Sequence, residues 1–186
     1  MAQTNNVTYG KPKVGGAIYS APLGTELPTD AVSKLNDAFK SLGYVSEDGV
    51  GNENSPESES VKAWGGDRVM VTQTDKPDIF TYTLIEATNI HVLKEVYGDG
   101  NVTGTIEDGI TIKANSKPLE AHSLVIDMIL KGGILKRIVI PNGTISEIGE
   151  IKYTDEDPIG YETSVEATPD ASGNSHYEYI QKAVGG

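Results

Sequence analysis

Four residues near the C-terminal end of the chain have the spacing of a calcium-binding loop. They match positions 1, 3, 6 and 12 of the loop that joins paired helices in calcium sensors: Asp155, Asp157, Gly160 and Glu166. Pro158 and Ile159 occupy positions 4 and 5 of that pattern, and a strand-like alternation follows where a helix would be needed. We therefore interpret the segment as a solvated acidic turn and expect no metal site there.

Sequence motifs for catalysis or cofactor binding are not found. The three histidines, His91, His122 and His176, are far apart and form neither an HExxH motif nor a zinc-type cluster. The chain has no GxSxG nucleophile elbow and no Walker-type phosphate loop. The glycines of segment 98–104 match a dinucleotide fingerprint only in part, because they follow a predicted helix rather than a strand. We expect no enzyme activity, no catalytic residue, no metal and no cofactor.

Charge and composition restrict the function further. The 186 residues include 27 acids against 15 bases, which gives a formal net charge of −12. Such a chain does not grip duplex nucleic acid by its phosphates, because that needs clusters of lysine and arginine. It has no cysteine, so the fold cannot depend on disulfides. No apolar run approaches the ~20 residues of a membrane helix, and we expect neither a membrane span nor a signal peptide.

The elements that would position any functional surface begin with the segment from His122 to Tyr153. Apolar residues recur at period 2 from Leu124 to Leu130, which predicts a strand. Gly132-Gly133 predicts a two-residue hairpin turn, with three cross-strand pairs: Leu130 with Leu135, Met128 with Arg137, and Ile126 with Val139. Pro141-Asn142-Gly143 predicts a second turn, followed by a third strand.

One face of this predicted meander is apolar and the other is half apolar. A ribbon of that kind must be sandwiched between other layers or must contact another subunit. We take it as the core on which the rest of the chain packs.

Flanking segments predict two short helices and several more strands. The first helix would span 30–42 with Thr29 or Asp30 as its cap, and the second would run from Asn89 to Gly98. A hairpin is predicted between 68–74 and 79–86. Further strands are predicted by composition or alternation at the following ranges: 14–21, 109–114, 161–167 and 176–181.

The domain organisation predicted from these patterns is simple. Residues 1–13 form an N-terminal arm, 14–182 form a single β domain, and 183–186 form a flexible C-terminus. The polar tract at about 46–60 is predicted to be an exposed loop. Trp64, the only tryptophan, precedes a Gly-Gly turn and is either a core anchor or an interface residue. The residues alone favour a self-assembling or binding β domain over a catalyst.

Five stretches resemble a known family and keep the same order over nearly the whole chain. They are Lys13–Ala31, Phe39–Val50, Ser55–Asp67, Val125–Gly143 and Thr168–Ile180. They resemble the major tail tube proteins of long-tailed (siphovirus-type) bacteriophages of Gram-positive hosts.

The resemblance implies a mainly β fold, a tail-tube-type β-sandwich or barrel of antiparallel strands with one or two short flanking helices. It implies hexameric rings that stack into a hollow tube, with strands joining between subunits into an inner β-barrel. The tube would form around a tape-measure protein and would contact tail terminator and distal tail or baseplate proteins. Double-stranded DNA would pass through it without specific binding. The protein would be assembled in the host cytoplasm and would belong to the virion tail.

Two sets of residues are candidates for these roles. If acids line the bore, they repel DNA phosphates and let the duplex slide; the strand-face candidates are Asp127, Glu147, Glu162 and Glu166. The alternative is that these acids face solvent outside the tube. The candidates for ring-stacking or inter-subunit contacts are Tyr9, Glu47, Asp48, Glu53, Glu57 and Trp64.

Two other functions remain open at this point. One is a type VI secretion-like tube subunit, which shares the fold. The other is a secreted or capsid-decorating β-sandwich that binds a carbohydrate or a protein as a monomer.

Overall fold

A computed structural model describes residues 2–13 and 15–182. The predicted flexible C-terminus, 183–186, lies outside the described residues. The elements, in chain order, are β1 (Gly10–Pro12), β2 (Ile18–Pro22), β3 (Lys40–Ser41), β4 (Val45–Glu53), β5 (Glu57–Lys62), β6 (Arg68–Asp75), β7 (Ile79–Leu84), α1 (Ile90–Tyr97), β8 (Val102–Thr103), β9 (Thr111–Ile112), β10 (His122–Leu130), β11 (Ile134–Ile148), β12 (Tyr161–Ala167) and β13 (Tyr177–Lys182). The fold is mainly β and antiparallel, as predicted.

Strand β11 is the element that both layers of the fold share. Its first half pairs with β10 on one edge and with β13 on the other, and its second half pairs with β12. The first sheet therefore consists of β3, β2, β10, β11 and β13, with β1 added beside β10. The second sheet consists of the end of β11 followed by β12, β7 and β4. The two layers form a β-sandwich.

The main core fills the space between these sheets and is closed by α1. Its members come from the inward-facing alternate positions of both sheets and from the apolar side of the helix. Its buried members include Leu124, Ile126, Ile138, Ile140, Phe80, Tyr82, Leu84, Tyr161, Val165, Val92, Leu93 and Val96. Burying a side chain of this size stabilises the fold by about 1.5–3 kcal/mol.

The helix α1 confirms the prediction for 89–98. The Asn89 side chain accepts a hydrogen bond from the His91 N–H and so caps the first turn. Gly98 ends the helix with φ at 93°, a conformation that an L side chain disfavours.

The helix predicted at 30–42 is not formed. The Asp30 carboxylate does accept hydrogen bonds from the Val32 and Ser33 N–H groups, as a cap would. However, the carbonyls of Asp30 and Ser33 accept hydrogen bonds from the buried Arg137 guanidinium instead of from a next helical turn. Residues 30–39 are irregular and cover the outer face of the first sheet, where Phe39 packs with Val125, and β3 follows.

The β10–β11 hairpin exists, but its predicted register is wrong by one residue. Leu130 pairs with Ile134 rather than Leu135, because the loop has three residues and includes Lys131. Gly132 and Gly133 have φ values of 80° and 74°, as the turn requires. The slip places Asp127 directly opposite Arg137, and in a sheet it moves every side chain of one strand to the other face.

The predicted turn at Pro141-Asn142-Gly143 is also wrong, because β11 continues through it for 15 residues. The chain therefore does not reverse direction there. The β10–β11 register shifts between His122 and Leu124, and Pro141 lies where the strand passes from one sheet to the other.

The tract predicted as an exposed loop at about 46–60 lies mostly in strands. β4 and β5 continue one another, a turn follows at 63–67, and β6 and β7 return along them. β4 pairs with β7 and β5 pairs with β6, so the predicted hairpin between 68–74 and 79–86 is wrong in its pairing. Both predicted strands exist, but they are successive parts of one arm of a longer hairpin.

The other strand predictions hold with small shifts. The strands predicted at 161–167 and 176–181 correspond to β12 and β13, and the short strands β2 and β9 overlap the predictions at 14–21 and 109–114. In the part of the chain that the structure describes, no helix has the length and apolar character needed to cross a membrane.

Candidate functional site

The outward face of the second sheet is polar and acidic. Along β12 the side chains alternate strictly, with Tyr161, Thr163 and Val165 buried and Glu162 and Glu166 exposed. An alternation of this kind places the two glutamates on one face of the sheet.

The strands beside β12 extend the same face. Glu147 on β11 is the Cα partner of Ser164, and Thr81 on β7 is the partner of Ser164 on the other side. Glu166 is opposite Ile79, which in turn is opposite Glu53 of β4. Cross-strand partners share a face, so four glutamates and several hydroxyls lie together. We call this surface the acidic face and define it by Glu53, Glu147, Glu162, Glu166, Thr81, Thr83, Thr144 and Ser164.

No basic side chain is contributed by the strands that build the acidic face. Segments 45–53, 79–84, 144–148 and 161–167 contain no lysine and no arginine, although the whole chain has 15. The same segments contain six acids: Glu47, Asp48, Glu53, Glu147, Glu162 and Glu166. These segments of the second sheet therefore carry negative charge without local compensation.

Asp127 does not belong to this surface. Its carboxylate is buried, and the Arg137 guanidinium binds it through two parallel hydrogen bonds of 2.6 and 2.9 Å. The Lys13 ammonium lies 3.4 Å from the same carboxylate. Because Asp127 is buried in a different sheet and its charge is matched, we remove it from the candidate lumen acids.

The second prominent surface is the hairpin formed by β5, β6 and their turn, residues 57–75, which we call the projecting hairpin. β5 and β6 pair only with each other within the described residues, and every residue from 57 to 75 is exposed. The Trp64 side chain at the turn is fully exposed, which rules out the core-anchor role in the isolated chain. Its apolar neighbours are exposed too, and they are Val61, Val69, Met70 and Val71.

The remaining predicted contact residues lie at three places. Glu47 and Asp48 lie in a bulge of β4, where the register jumps from Val45 to Val50. Glu53 and Glu57 lie at the junction of the second sheet with the projecting hairpin. Tyr9 is exposed just before β1, with the Lys11 ammonium 5.1 Å from its ring centroid. The structure thus groups the acids near one hairpin and leaves Tyr9 on the first sheet.

The root of the projecting hairpin is fixed by a buried aspartate that the sequence did not reveal. Asp78 is only 2% exposed and accepts a hydrogen bond of 2.8 Å from the Asn52 side-chain amide. Its other oxygen contacts Nδ1 of His176, whose ring packs edge-on against Phe80. These three residues join β4, β7 and the segment before β13. The only sequence signal was a lone aspartate after Pro77.

A buried network under α1 also escaped prediction. One oxygen of Glu95 accepts a hydrogen bond of 2.7 Å from Ser20 Oγ and lies 3.1 Å from His122 Nδ1. The hydrogen bond that the His122 ring donates to the Glu95 carboxylate raises the pKa of His122, and burial opposes that shift. In a catalytic triad the serine would donate to the imidazole, but here it donates to the carboxylate. The network is therefore a structural link between helix and sheet. Glu95 interrupts the apolar stripe of α1, which was the one available signal.

The residues of the calcium-like pattern are not gathered by the fold. Asp155 and Asp157 lie in an exposed turn, whereas Glu166 lies on β12. Across the described ranges, the structure shows no group of three or more His, Asp or Glu side chains arranged to hold a metal ion.

By its fold and surfaces, the protein is a β-sandwich with an acidic sheet face and a projecting hairpin. Comparison with known families makes the class specific. A family model described as phage tail tube protein matches residues 3–185, nearly the whole chain. The chain therefore belongs to the phage tail tube protein family, and it is a structural subunit of a phage tail tube. A search of curated proteins returned no match.

Proposed function

We propose that this chain is the major tail tube subunit, and that its copies form hexameric rings which stack into a hollow tube that conducts the phage genome. The observation that carries this proposal is the acidic face. It is a sheet surface with four glutamates and several hydroxyls, built from strand segments (45–53, 79–84, 144–148 and 161–167) that contain no lysine or arginine.

The electrostatic argument concerns the passage of DNA. A duplex carries one negative charge per ~1.7 Å, and basic surfaces hold it by releasing counterions. A bore lined by Glu147, Glu162 and Glu166 repels the phosphates and leaves the duplex free to slide. Glu53 joins this set because it is in the same row as Glu166. DNA therefore passes without specific binding.

The strand edges support assembly. β4 ends the sheet order of the second sheet, and no strand among the described residues pairs with its outer edge. An unpaired edge is a template for another chain, and closure into a ring removes it. In our proposal β4 of one subunit joins the second sheet of its neighbour, and the joined sheets form the inner β-barrel of the tube.

The other partners follow from this role. The projecting hairpin, the β4 bulge with Glu47 and Asp48, and the N-terminal arm with Tyr9 make the contacts between subunits and between rings. A tape-measure protein occupies the bore during assembly in the host cytoplasm, and tail terminator and distal tail or baseplate proteins close the ends. The tail is of the long, siphovirus type, and the host is Gram-positive.

Negative-stain electron microscopy of the purified protein over a range of concentrations tests the proposal. We expect six-fold rings or hollow tubes that become longer as the protein concentration rises. A species that stays monomeric at high concentration, confirmed by analytical ultracentrifugation, would contradict the proposal.

A further inference from the structure

The projecting hairpin carries like charges directly opposite each other at both of its ends. At its root, Glu57 is the Cα partner of Asp75. Near its turn, Lys62 is the Cα partner of Arg68. Like charges in directly opposed positions of an antiparallel pair destabilise it, so neither pair serves the stability of the hairpin itself.

Neither pair is neutralised by the rest of the chain as the structure describes it. No ion pair within 4 Å involves Lys62, Arg68, Glu57 or Asp75 in the described ranges. All four side chains lie in the exposed hairpin. Among the described residues, the Asp75 carboxylate accepts only a local hydrogen bond, from the Lys76 N–H.

The two ends are complementary to each other but cannot meet within one hairpin. Lys62 lies five positions after Glu57, which corresponds to about 17 Å along an extended strand. That separation exceeds the reach of a direct ion pair. The basic end of one hairpin can therefore find the acidic end only on a second copy.

We propose that the basic end of the projecting hairpin, Lys62 and Arg68, binds the acidic root of the hairpin of a second copy, Glu57 and Asp75. The contact is head-to-tail, and a head-to-tail contact that does not close on itself propagates a filament. Trp64 lies two residues from Lys62 and supplies an apolar anchor beside the charges. This inference rests on the proposed tube assembly and names the residues that direct it.

Charge complementarity makes a second copy a better occupant than nucleic acid. The hairpin presents two bases near its turn with Asp67 between them in sequence, and the whole chain carries a net charge of −12. A phosphate backbone would be repelled by that charge, whereas a local pair of carboxylates fits a local pair of cations.

Reciprocal charge reversal tests the contact. Variant A carries Lys62→Glu and Arg68→Glu, and variant B carries Glu57→Lys and Asp75→Lys. Like-charge juxtaposition at an interface costs several kcal/mol, so each variant alone raises the critical concentration for tube formation by at least about tenfold. In an equimolar mixture, the acidic tip of A meets the basic root of B, and the basic tip of B meets the acidic root of A. The mixture therefore restores tubes.

Matched reversals at exposed sites outside the hairpin provide the control. They are Lys113→Glu with Lys117→Glu, and Asp155→Lys with Glu156→Lys, and they leave the critical concentration within about twofold of the parent protein. Circular dichroism melting establishes that each variant is folded. If variant A or B does not fold, the neutral changes Lys62→Gln with Arg68→Gln, and Glu57→Gln with Asp75→Gln, replace both variants, and each then raises the critical concentration.

The outcomes separate the inference from the proposed function. If the parent protein forms no tubes, the proposed function fails. If the parent protein forms tubes and A and B also do so at the parent concentration, or if the mixture of A and B forms none, the proposed contact is overturned.

Discussion

Arg137 shows how one side chain can organise distant parts of the chain. Its guanidinium is fully buried, pairs with Asp127 on β10 and donates to the carbonyls of Asp30 and Ser33. It therefore joins the first sheet to the irregular segment that covers it. A buried charge is costly when it lacks a partner, and this arrangement gives the guanidinium a partner on two sides.

Replacing Arg137 with methionine tests that role. The Arg137→Met variant leaves the Asp127 carboxylate buried without its main partner, and we expect the free energy of unfolding to fall by about 3–5 kcal/mol. Urea denaturation of the unassembled protein measures it. Lys34→Ala is the control, because the Lys34–Asp37 pair has side chains 85% and 87% exposed, and its loss should leave the free energy of unfolding nearly unchanged. Equal losses in the two variants would contradict the structural role of Arg137.

Because of the Glu95–His122 pair, we expect the stability of the folded protein to depend on pH. The hydrogen bond to Glu95, and then the charges of Glu95, Asp99 and Glu120, raise the pKa of His122 above its ordinary value of 6.5, and burial opposes them. The stabilisation is complete below the unfolded pKa and is lost as the pH rises through the raised folded pKa. The stability difference between the parent protein and His122→Gln should therefore be larger at about pH 5.5 than at about pH 8.

His91 provides a control of opposite sign. Burial first, and then the charges of Lys40 and Lys94, lower the pKa of His91. Protonation of His91 therefore destabilises the folded protein as the pH falls. The stability of His91→Gln relative to the parent protein should accordingly increase as the pH is lowered. Chemical denaturation at the two pH values gives both differences, and a His122 difference that does not change with pH would contradict the pairing.

At the scale of elements, the sequence predicted a helix or strand correctly where all the residues that determine it lie within the element itself. The helix α1 has its cap at Asn89, its apolar stripe and its stop at Gly98 within ten residues, so the prediction was confirmed. The strand β12 likewise shows its buried and exposed faces in its own alternation.

Predictions failed where residues distant in the sequence determine the backbone conformation. The segment at 30–42 has a cap and a short apolar stripe, but Arg137, about a hundred positions away, takes the carbonyls that a helix would use. The Pro-Asn-Gly signal at 141–143 was overridden because β12 and β10 supply partners to a strand that continues. Of the candidate site, the exposed glutamates of β12 could be predicted from the sequence. The pairing of Asp127 with Arg137 could not, because it depends on the observed hairpin register.

The projecting hairpin is an element that contributes nothing to the core of a single chain. We expect that replacing residues 55–77 with Asn-Gly keeps β4 and β7 paired, because Asp78 and Asn52 are retained and Asn-Gly favours a two-residue turn. The free energy of unfolding should change by less than about 1 kcal/mol, since the removed strands are exposed. Electron microscopy should show no tubes. Normal tubes from this variant would show that the hairpin is not needed for assembly.

At the scale of the whole molecule, charge is divided between surfaces. The second sheet has acids and hydroxyls on its outward face, whereas the first sheet carries Lys11, Lys136 and Lys182 near its hairpin end. The net charge could be counted from the sequence, but the grouping of the acidic-face glutamates on one sheet depends on strand order. β4, β7, β12 and the end of β11 come from four separate parts of the chain, and only the fold places them side by side.

Reversing two charges of the acidic face tests the proposed bore. Glu162→Lys with Glu166→Lys changes exposed positions on β12 and leaves the buried face of that strand intact. We expect tubes of normal length, because these side chains lie away from the strand edges. Because each subunit contributes two cations to the bore, we expect DNA to co-sediment with the tubes. The affinity should fall steeply with salt, and the slope of log K against log salt concentration should be about −0.9 for each phosphate contacted. Genome delivery, measured as infection titre, should fall because the duplex is held.

Asp155→Lys with Glu156→Lys makes the same change of charge off the acidic face and should alter neither reading. An unchanged titre together with unchanged DNA binding would show that Glu162 and Glu166 face the outside of the tube, because a basic ring around a passing duplex cannot leave both unaffected.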